Sequence, residues 1–431
     1  MIIPDLSRDI VLKSIKQEIS KMDDKNLKRR MKFVDFYEGE HEPHIKSYFE
    51  KGPQLPLYTA NITKRMVNAR SLAYKDSPLR SNERYNDALP HDINSKMRQM
   101  EKMTFLLGSM GLISRWDEDH LEYDILPYFW PIFVSGSIDV KAVYYPLANL
   151  NDRTNRIYEY WSDEEHFRFD QKGKVWNLDD DGINLYGRMP VTFAHRDPEL
   201  VDEFFQCGAS DIVSANEHLD ILMQEIMIAA RIDSLGIKYA TNIHDDTPIR
   251  AGVDEVIMLP DGATLNRLEG GDPQKLLNVA KSIIQSTALN NHLVARFVDS
   301  ESSSGIALKI ENIENWDARK ASVNDVWRPF EHERFKLDRE IAAYHGVNID
   351  EDFAVDFKEP DQVMDKAEER AHFDWMMANG FMTKKQVMKA MNQDKLSDEE
   401  IDEILEEAAV EVQPEKPSLF EGLKRLGTIS S

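Results

Sequence analysis

The chain has 431 residues, 42% of them hydrophobic, and a formal net charge of −24. That length suits about two to three domains around a sizeable core, and a surface this acidic is wrong for a protein that grips DNA phosphates with clustered Lys and Arg. It suits solubility alone, or a surface that DNA must pass without sticking. No run approaches the roughly 18 consecutive apolar residues of a membrane span, and Met1-Ile2-Ile3-Pro4-Asp5 lacks a charged-then-apolar leader pattern. The one cysteine, Cys207, excludes an intramolecular disulfide and a multi-Cys zinc site. A reducing cytoplasm is expected, with Cys207 as an inert small hydrophobe.

Residues 5–39 read as helix, with Ile10, Ile15, Ile19, Phe33 and Phe36 apolar and Gly39 as a stop. A loop at Gly52-Pro53 precedes an amphipathic helix over Asn61–Lys75, which Ser77-Pro78 ends. A further helix covers about Asn94–Leu107. From Tyr123 to about Phe193 the period shortens toward two. Ile138, Val140, Ala142 and Tyr144 alternate with Asp139, Lys141 and Val143, and turn signals follow at Asn151-Asp152, Lys172-Gly173 and Asp181-Gly182. An antiparallel meander closed by Tyr186-Gly187-Arg188-Met189-Pro190-Val191 is predicted.

Next comes a long helix over about Ser210–Ser234, capped by Ser210 or Asp211 and stopped by Gly236. About 24 residues would span roughly 36 Å. Ile237–Ala240 and Val256–Leu259 look like short strands of a turn-rich insertion. Asp272-Pro273 then opens a returning helix that fades at Asn290-Asn291. The polar run Asp299-Ser300-Glu301-Ser302-Ser303-Ser304-Gly305 leads into a third helix. Pro329 lies deep inside it and is expected to kink or break it. Past Asp350 the chain is helical and acidic, with 21 acids against 10 bases. No internal repeat is evident.

Catalytic motifs are thin. There is no phosphate loop, dinucleotide glycine fingerprint or His-Glu-x-x-His. Asp117-Glu118-Asp119-His120 offers oxygen and nitrogen ligands for a divalent metal, and a nuclease or hydrolase built on Asp117, Asp119 and His120 is the alternative enzyme reading. Neighbours on one segment rarely converge on one ion, so a solvated loop is favoured. Asp179-Asp180-Asp181-Gly182 reads as a hairpin turn rather than a calcium loop. Glu331-His332-Glu333 reads as a charged helix surface. The basic run Lys25, Lys28, Arg29, Arg30 and Lys32 is interleaved with Asp23, Asp24 and Asp35 and reads as a solvated face. Ser302-Ser303-Ser304-Gly305 lacks the Lys that would meet a phosphate; a capping linker and a functional loop both remain open.

Several patches, in order, resemble the portal proteins of tailed bacteriophages. They are Asn61-Ile62-Thr63-Lys64-Arg65-Met66-Val67 through Ser77-Pro78, the Gly-x-x-Pro strand around Gly187–Pro190, and Gly208-Ala209-Ser210-Asp211-Ile212 leading to Asn216 and Leu219. Ser304-Gly305-Ile306-Ala307-Leu308-Lys309 and Asn379-Gly380-Phe381-Met382-Thr383 complete the set. They cover most of the chain from about 30 to 410. The resemblance implies an α+β portal fold, mainly helical, with an antiparallel β wing and a small α/β clip. It implies a dodecameric homo-oligomeric ring at one capsid vertex of the virion, assembled in the host cytoplasm.

By position it implies a wing at 1–208, stem helices at 209–235 and 272–293, a clip at 236–271 and a tunnel loop at 294–304. A kinked tunnel/wing helix at 305–349 and a crown with C-terminal tail at 350–431 follow. The implied partners are the terminase large subunit, the head–tail adaptor, the major capsid and scaffolding proteins, and double-stranded DNA passing non-specifically; no membrane, cofactor, metal or catalysis is implied. The expected channel residues are Arg296, Asp299, Ser300, Glu301, Ser302, Ser303 and Ser304. A capsid-associated adaptor without an axial channel is the remaining alternative.

Overall fold

The computed structural model describes residues 1–20, 25–49, 56–147, 156–177, 182–197, 204–235, 237–241, 264–268, 272–293, 305–358, 366–391 and 401. The chain divides into two compact units, Met1–Ser302 with Ile310–Pro360, and Ser303–Lys309 with Asp361–Ser431. Helix and antiparallel sheet occur in separate blocks, which makes the chain α+β.

The first unit begins with β1 (Ile2–Ile3), α1 (Arg8–Ser20), α2 (Lys25–Glu38) and the short α3 (Glu42–Ile45). Then come α4 (Ile62–Arg70), β2 (Leu79–Arg80), α5 (Glu83–Ala88) and α6 (Ile93–Leu107). The helix predicted over 61–75 stops at Arg70. Its next turn is unwound because the buried carboxylate of Glu101 accepts the amides of Ala73 (2.7 Å) and Tyr74 (3.0 Å), which removes them from any helical ladder.

Strands β3 (Ser109–Asp117), β4 (His120–Leu126), β5 (Trp130–Val134), β6 (Val140–Pro146), β7 (Ile157–Ser162), β8 (His166–Asp170), β9 (Val175–Asn177) and β10 (Val191–His195) build two sheets. The larger has the order β1-β5-β6-β7-β8-β9, parallel only between β1 and β5. The smaller has the order β10-β3-β4. The predicted meander is therefore split: Tyr123 lies in β4, and Val191 pairs with Ile113 of β3. Ile138 lies before β6 and is 94% exposed, so the alternation assigned to it begins too early.

Alternation along the strands sorts side chains into layers. Phe167 and Phe169 pack with Tyr158, Tyr160, Val11 and Ile15, so α1 covers one face of the larger sheet. Val143, Tyr145 and Trp161 point the other way and meet Ile113 and Val191 of the smaller sheet. On the opposite face of β3, Met110 and Leu112 join the main core with α2, α4 and α6. At the corner where α6 ends, Gly108 and Gly208 have positive φ (85° and 57°), and a Cβ on either would collide with the other segment's backbone. Ala209 N can then donate to Leu106 O at 3.0 Å, which fixes where the following helix starts.

That helix, α7 (Ser210–Leu235), is followed by β11 (Ile237–Thr241), β12 (Thr264–Leu268) and α8 (Pro273–Asn290). The predicted strand Val256–Leu259 lies outside the described residues. Helix α9 (Gly305–Ser322) passes through a π-helical turn at Val323–Trp327 into α10 (Arg328–Tyr344). Pro329 thus breaks nothing. It sits in the first turn of α10, and Arg328 N reaches back five residues to Val323 O. The wider turn accommodates the missing donor. Strand β13 (Val355–Asp356) pairs with β2 and closes this unit.

The second unit contains α11 (Lys366–Ala378) and α12 (Lys384–Met391). Gly380 takes a positive φ of 74° between them. Thr383 and Gln386 cap α12 reciprocally, side chain to backbone in both directions. No helix among the described residues is long and apolar enough to cross a membrane.

Candidate functional site: the paired helices and their root

Helices α7 and α8 form an antiparallel pair. Leu219, Leu222 and Ala280 are buried between them, with Ile226, Leu276, Ile283 and Ile284 packed around. At 26 residues α7 is about 39 Å long. The far end carries the β11–β12 ladder, in which Ile237 opposes Leu268 and Thr241 opposes Thr264. Apolar side chains remain on the outside of the shaft: Met227, Val279 (50% exposed) and Leu289 (61%).

The near end is held by buried polar contacts rather than by apolar packing alone. Asn216 Oδ1 accepts from the amides of Ile62 (3.0 Å) and Thr63 (2.9 Å) and from the Thr63 hydroxyl. These are orphan donors at the start of α4. Asp220, one turn on, accepts from Ala60 N at 2.9 Å and from His41 Nδ1 at 2.7 Å, while His41 Nε2 faces Phe36 O at 2.9 Å. Burial pushes the His41 imidazole down, but its bonds to Asp220 and Phe36 and the charges of Asp220 and Glu40 outweigh that and raise its pKa above the ordinary value. Lys32 reaches Glu217 at 2.8 Å. The exit of α8 is tied to the entry of α7 by Asn291 and Asp211, 2.7 Å apart.

The basic run of α2 is only partly a solvated face. Arg30 is 4% exposed, and its guanidinium donates to the carbonyls of Pro127, Leu107 and Ser109, so a loop and a strand start are pinned by one side chain. Cys207 is exposed rather than buried, because it sits beside the Gly208 corner with Sγ 3.9 Å from Arg29.

Glu331 overturns the reading of Glu331-His332-Glu333 as a charged surface. Its carboxylate is fully buried and receives Arg80 (2.8 and 2.9 Å), Arg334 (2.7 Å) and the Tyr74 hydroxyl (2.8 Å). Arg334 is shared with Asp338, which also accepts from Tyr85 and Tyr123 at 2.5 and 2.6 Å. Burial would raise the Glu331 pKa, but Arg334 and Arg80 bring it down to about 2. One helix stripe thereby locks α10 to β2, α5 and β4.

The predicted channel residues Arg296, Asp299, Ser300, Glu301, Ser302, Ser303 and Ser304 lie outside the described residues. So does the acidic run 179–181. Asp117, Glu118, Asp119 and His120 form the tip of the β3–β4 hairpin, with Glu118 at φ 49° and the His120 ring 3.1 Å from the carboxylate of its neighbour Asp119. Among the described residues no three His, Cys, Asp or Glu side chains are grouped as metal ligands.

No protein-family model matches the chain, and no curated protein matches it. Two solved structures to which it is similar are chains of gene transfer agent particles. A chain in the neck of an empty particle, computed with C6 symmetry, aligns over 77% of this chain and 89% of its own length, at 11% identity and a TM-score of 0.38. A chain of the virion of a native particle aligns over 76% and 88%, at 11% identity and a TM-score of 0.37. Likeness this loose sets neither fold nor function here.

Proposed function

We propose that the chain is a portal: a ring-forming structural protein at one capsid vertex, through which double-stranded DNA is packaged and later leaves. One observation carries this reading. Helices α7 and α8 leave the body as a rooted antiparallel pair, bear a small strand tip, and keep Met227, Val279 and Leu289 exposed on their shaft. Apolar shaft positions of this kind fit neighbouring copies standing side by side as staves. The net charge of −24 fits a wall along which DNA slides.

In this reading 1–208 is the wing, 209–235 and 272–293 the stem, 236–271 the clip, 294–304 the tunnel loop, 305–349 the tunnel/wing helix and 350–431 the crown. The clip meets the terminase large subunit and later the head–tail adaptor, and capsid and scaffolding proteins surround the wing. The protein itself catalyses nothing. Negative-stain imaging of the purified chain tests the proposal. A ring with a central hole, twelve-fold in the simplest case, is expected; a stable monomer at every concentration overturns it. Bulky replacements of Ser302–Ser304 are expected to leave the ring intact and reduce DNA filling, and undiminished filling would remove the tunnel-loop assignment.

A further inference from the structure

A cavity of about 410 Å³ lies within the first unit, where α4, α6, the end of α8 and the turn before α10 meet. Two guanidinium groups line it. Arg196 is fixed: it donates to Gly208 O at 2.8 Å, approaches Asp197 at 3.5 Å and lies over the Phe105 ring at 4.1 Å. Arg70 follows the last apolar turn of α4 and has no carboxylate within ion-pair distance among the described residues. Burial and the neighbouring Arg196 push its pKa down to about 10, although Glu101 and Asp197 pull the other way. Two like charges partly removed from water are a cost that an anion between them would relieve.

The carboxylates nearby do not supply that anion. Both oxygens of Glu101 are taken by the amides of Ala73 and Tyr74, and burial raises its pKa to about 7. Asp197 is engaged with Arg196, and Asp325 is exposed. His292, at φ 56°, stands at the rim. A second, independent observation lies in the wall of the same cavity. Thr104 is 2% exposed and lines the cavity, yet its Oγ1 has no hydrogen-bond partner among the described residues. A buried hydroxyl left that way is costly unless something accepts from it.

We propose that this cavity is an oxyanion site that takes a phosphate-class anion between Arg70 and Arg196, with the Thr104 hydroxyl as a third donor. Guanidinium geometry matches phosphate oxygens two at a time. The cavity volume exceeds that of one phosphate, so the group can arrive free or as part of a nucleic-acid backbone. The site does not require the portal reading. Its test reads binding by the full chain in whatever oligomeric state it adopts, so either idea can fail alone.

The experiment is a titration of the full chain with inorganic phosphate against chloride at constant ionic strength, read by calorimetry and by thermal midpoint. A saturable, phosphate-specific response is expected. Arg70→Gln should weaken it about ten-fold or more, since a charged donor is lost. Thr104→Val should weaken it roughly three-fold while leaving the anion-free protein as stable as before or more so, because an unsatisfied buried hydroxyl disappears. Competition by a short DNA duplex, dependent on Arg70, would assign the phosphate to nucleic acid; no competition would assign it to the free ion. No saturable response, or equal responses from the parent and both variants, overturns the site.

Discussion

Asn291 Nδ2 donates to Asp211 Oδ2 at 2.7 Å, so the residue that caps the returning helix closes onto the first turn of the outgoing one. The same Asn291 amide also donates to Thr287 O at 2.9 Å. One side chain thus caps α8 and joins the two helices at their base. Replacing it by Asp places two carboxylates against each other. Asn291→Asp is expected to lower stability by about 1–3 kcal/mol, measured as a lower urea midpoint, with Asn291→Ala milder.

Glu331 holds Arg80 and Arg334 in a fully buried cluster. Removing one partner strands the others. Glu331→Gln is expected to cost about 3–5 kcal/mol. Because the folded pKa is depressed from 4.5 to about 2, the stabilisation is fully present above about pH 4.5. It is lost as pH falls toward 2. Acid denaturation followed by circular dichroism should show that loss in the parent and not in Glu331→Gln.

The His41–Asp220 pair behaves in the opposite sense. A raised imidazole pKa means the stabilisation is complete below the ordinary value of 6.5 and fades as pH rises through the folded value. The groups facing His41 are Asp220, Phe36 O and, through space, Glu40. His41→Gln should flatten the decline in thermal midpoint on the alkaline side. An unchanged slope would show that this pair does not titrate there.

Val279 and Leu289 stand half or more exposed on α8. In a ring they would be covered by a neighbouring copy. Val279→Glu combined with Leu289→Glu should leave the helical signal of the chain intact. It should weaken assembly about ten-fold or more, since each buried apolar side chain is worth about 1.5–3 kcal/mol. Light scattering across concentrations reads the change.

Much of the fold is legible in the sequence because it is written in local signals. Asp272-Pro273 caps and opens α8 as its residue types demand, with Asp272 accepting from Gln274 N at 3.0 Å. The period of Ile212, Leu219, Leu222 and Ile226 marks the face of α7. Strand β3 leaves no such trace: Ser109 through Ser114 are buried on both faces, so no polar alternation announces them. The buried charges are equally silent. Glu331, Arg334, Asp338, Arg30 and Glu159 look like surface residues in sequence. Each is inside because partners from distant segments converge on it, as Tyr145, His166 and Arg115 do on Glu159. The root of α7 is of the same kind, since Asn216 and Asp220 act on amides roughly 150 to 160 residues away.

The π turn at Val323–Trp327 sets a rotational phase. It holds one residue more than an α turn, and each residue in an α-helix advances the azimuth by about 100°. Downstream, that phase aims Glu331, Arg334 and Asp338 inward together. Upstream, it decides which side of α9 faces the same way. Deleting a single residue from 323–327 would let the helix close into regular α geometry across Pro329 only by swinging one half against the other. The count of residues in that turn therefore works as a vernier between the interior lock of α10 and the helix that leads away from it.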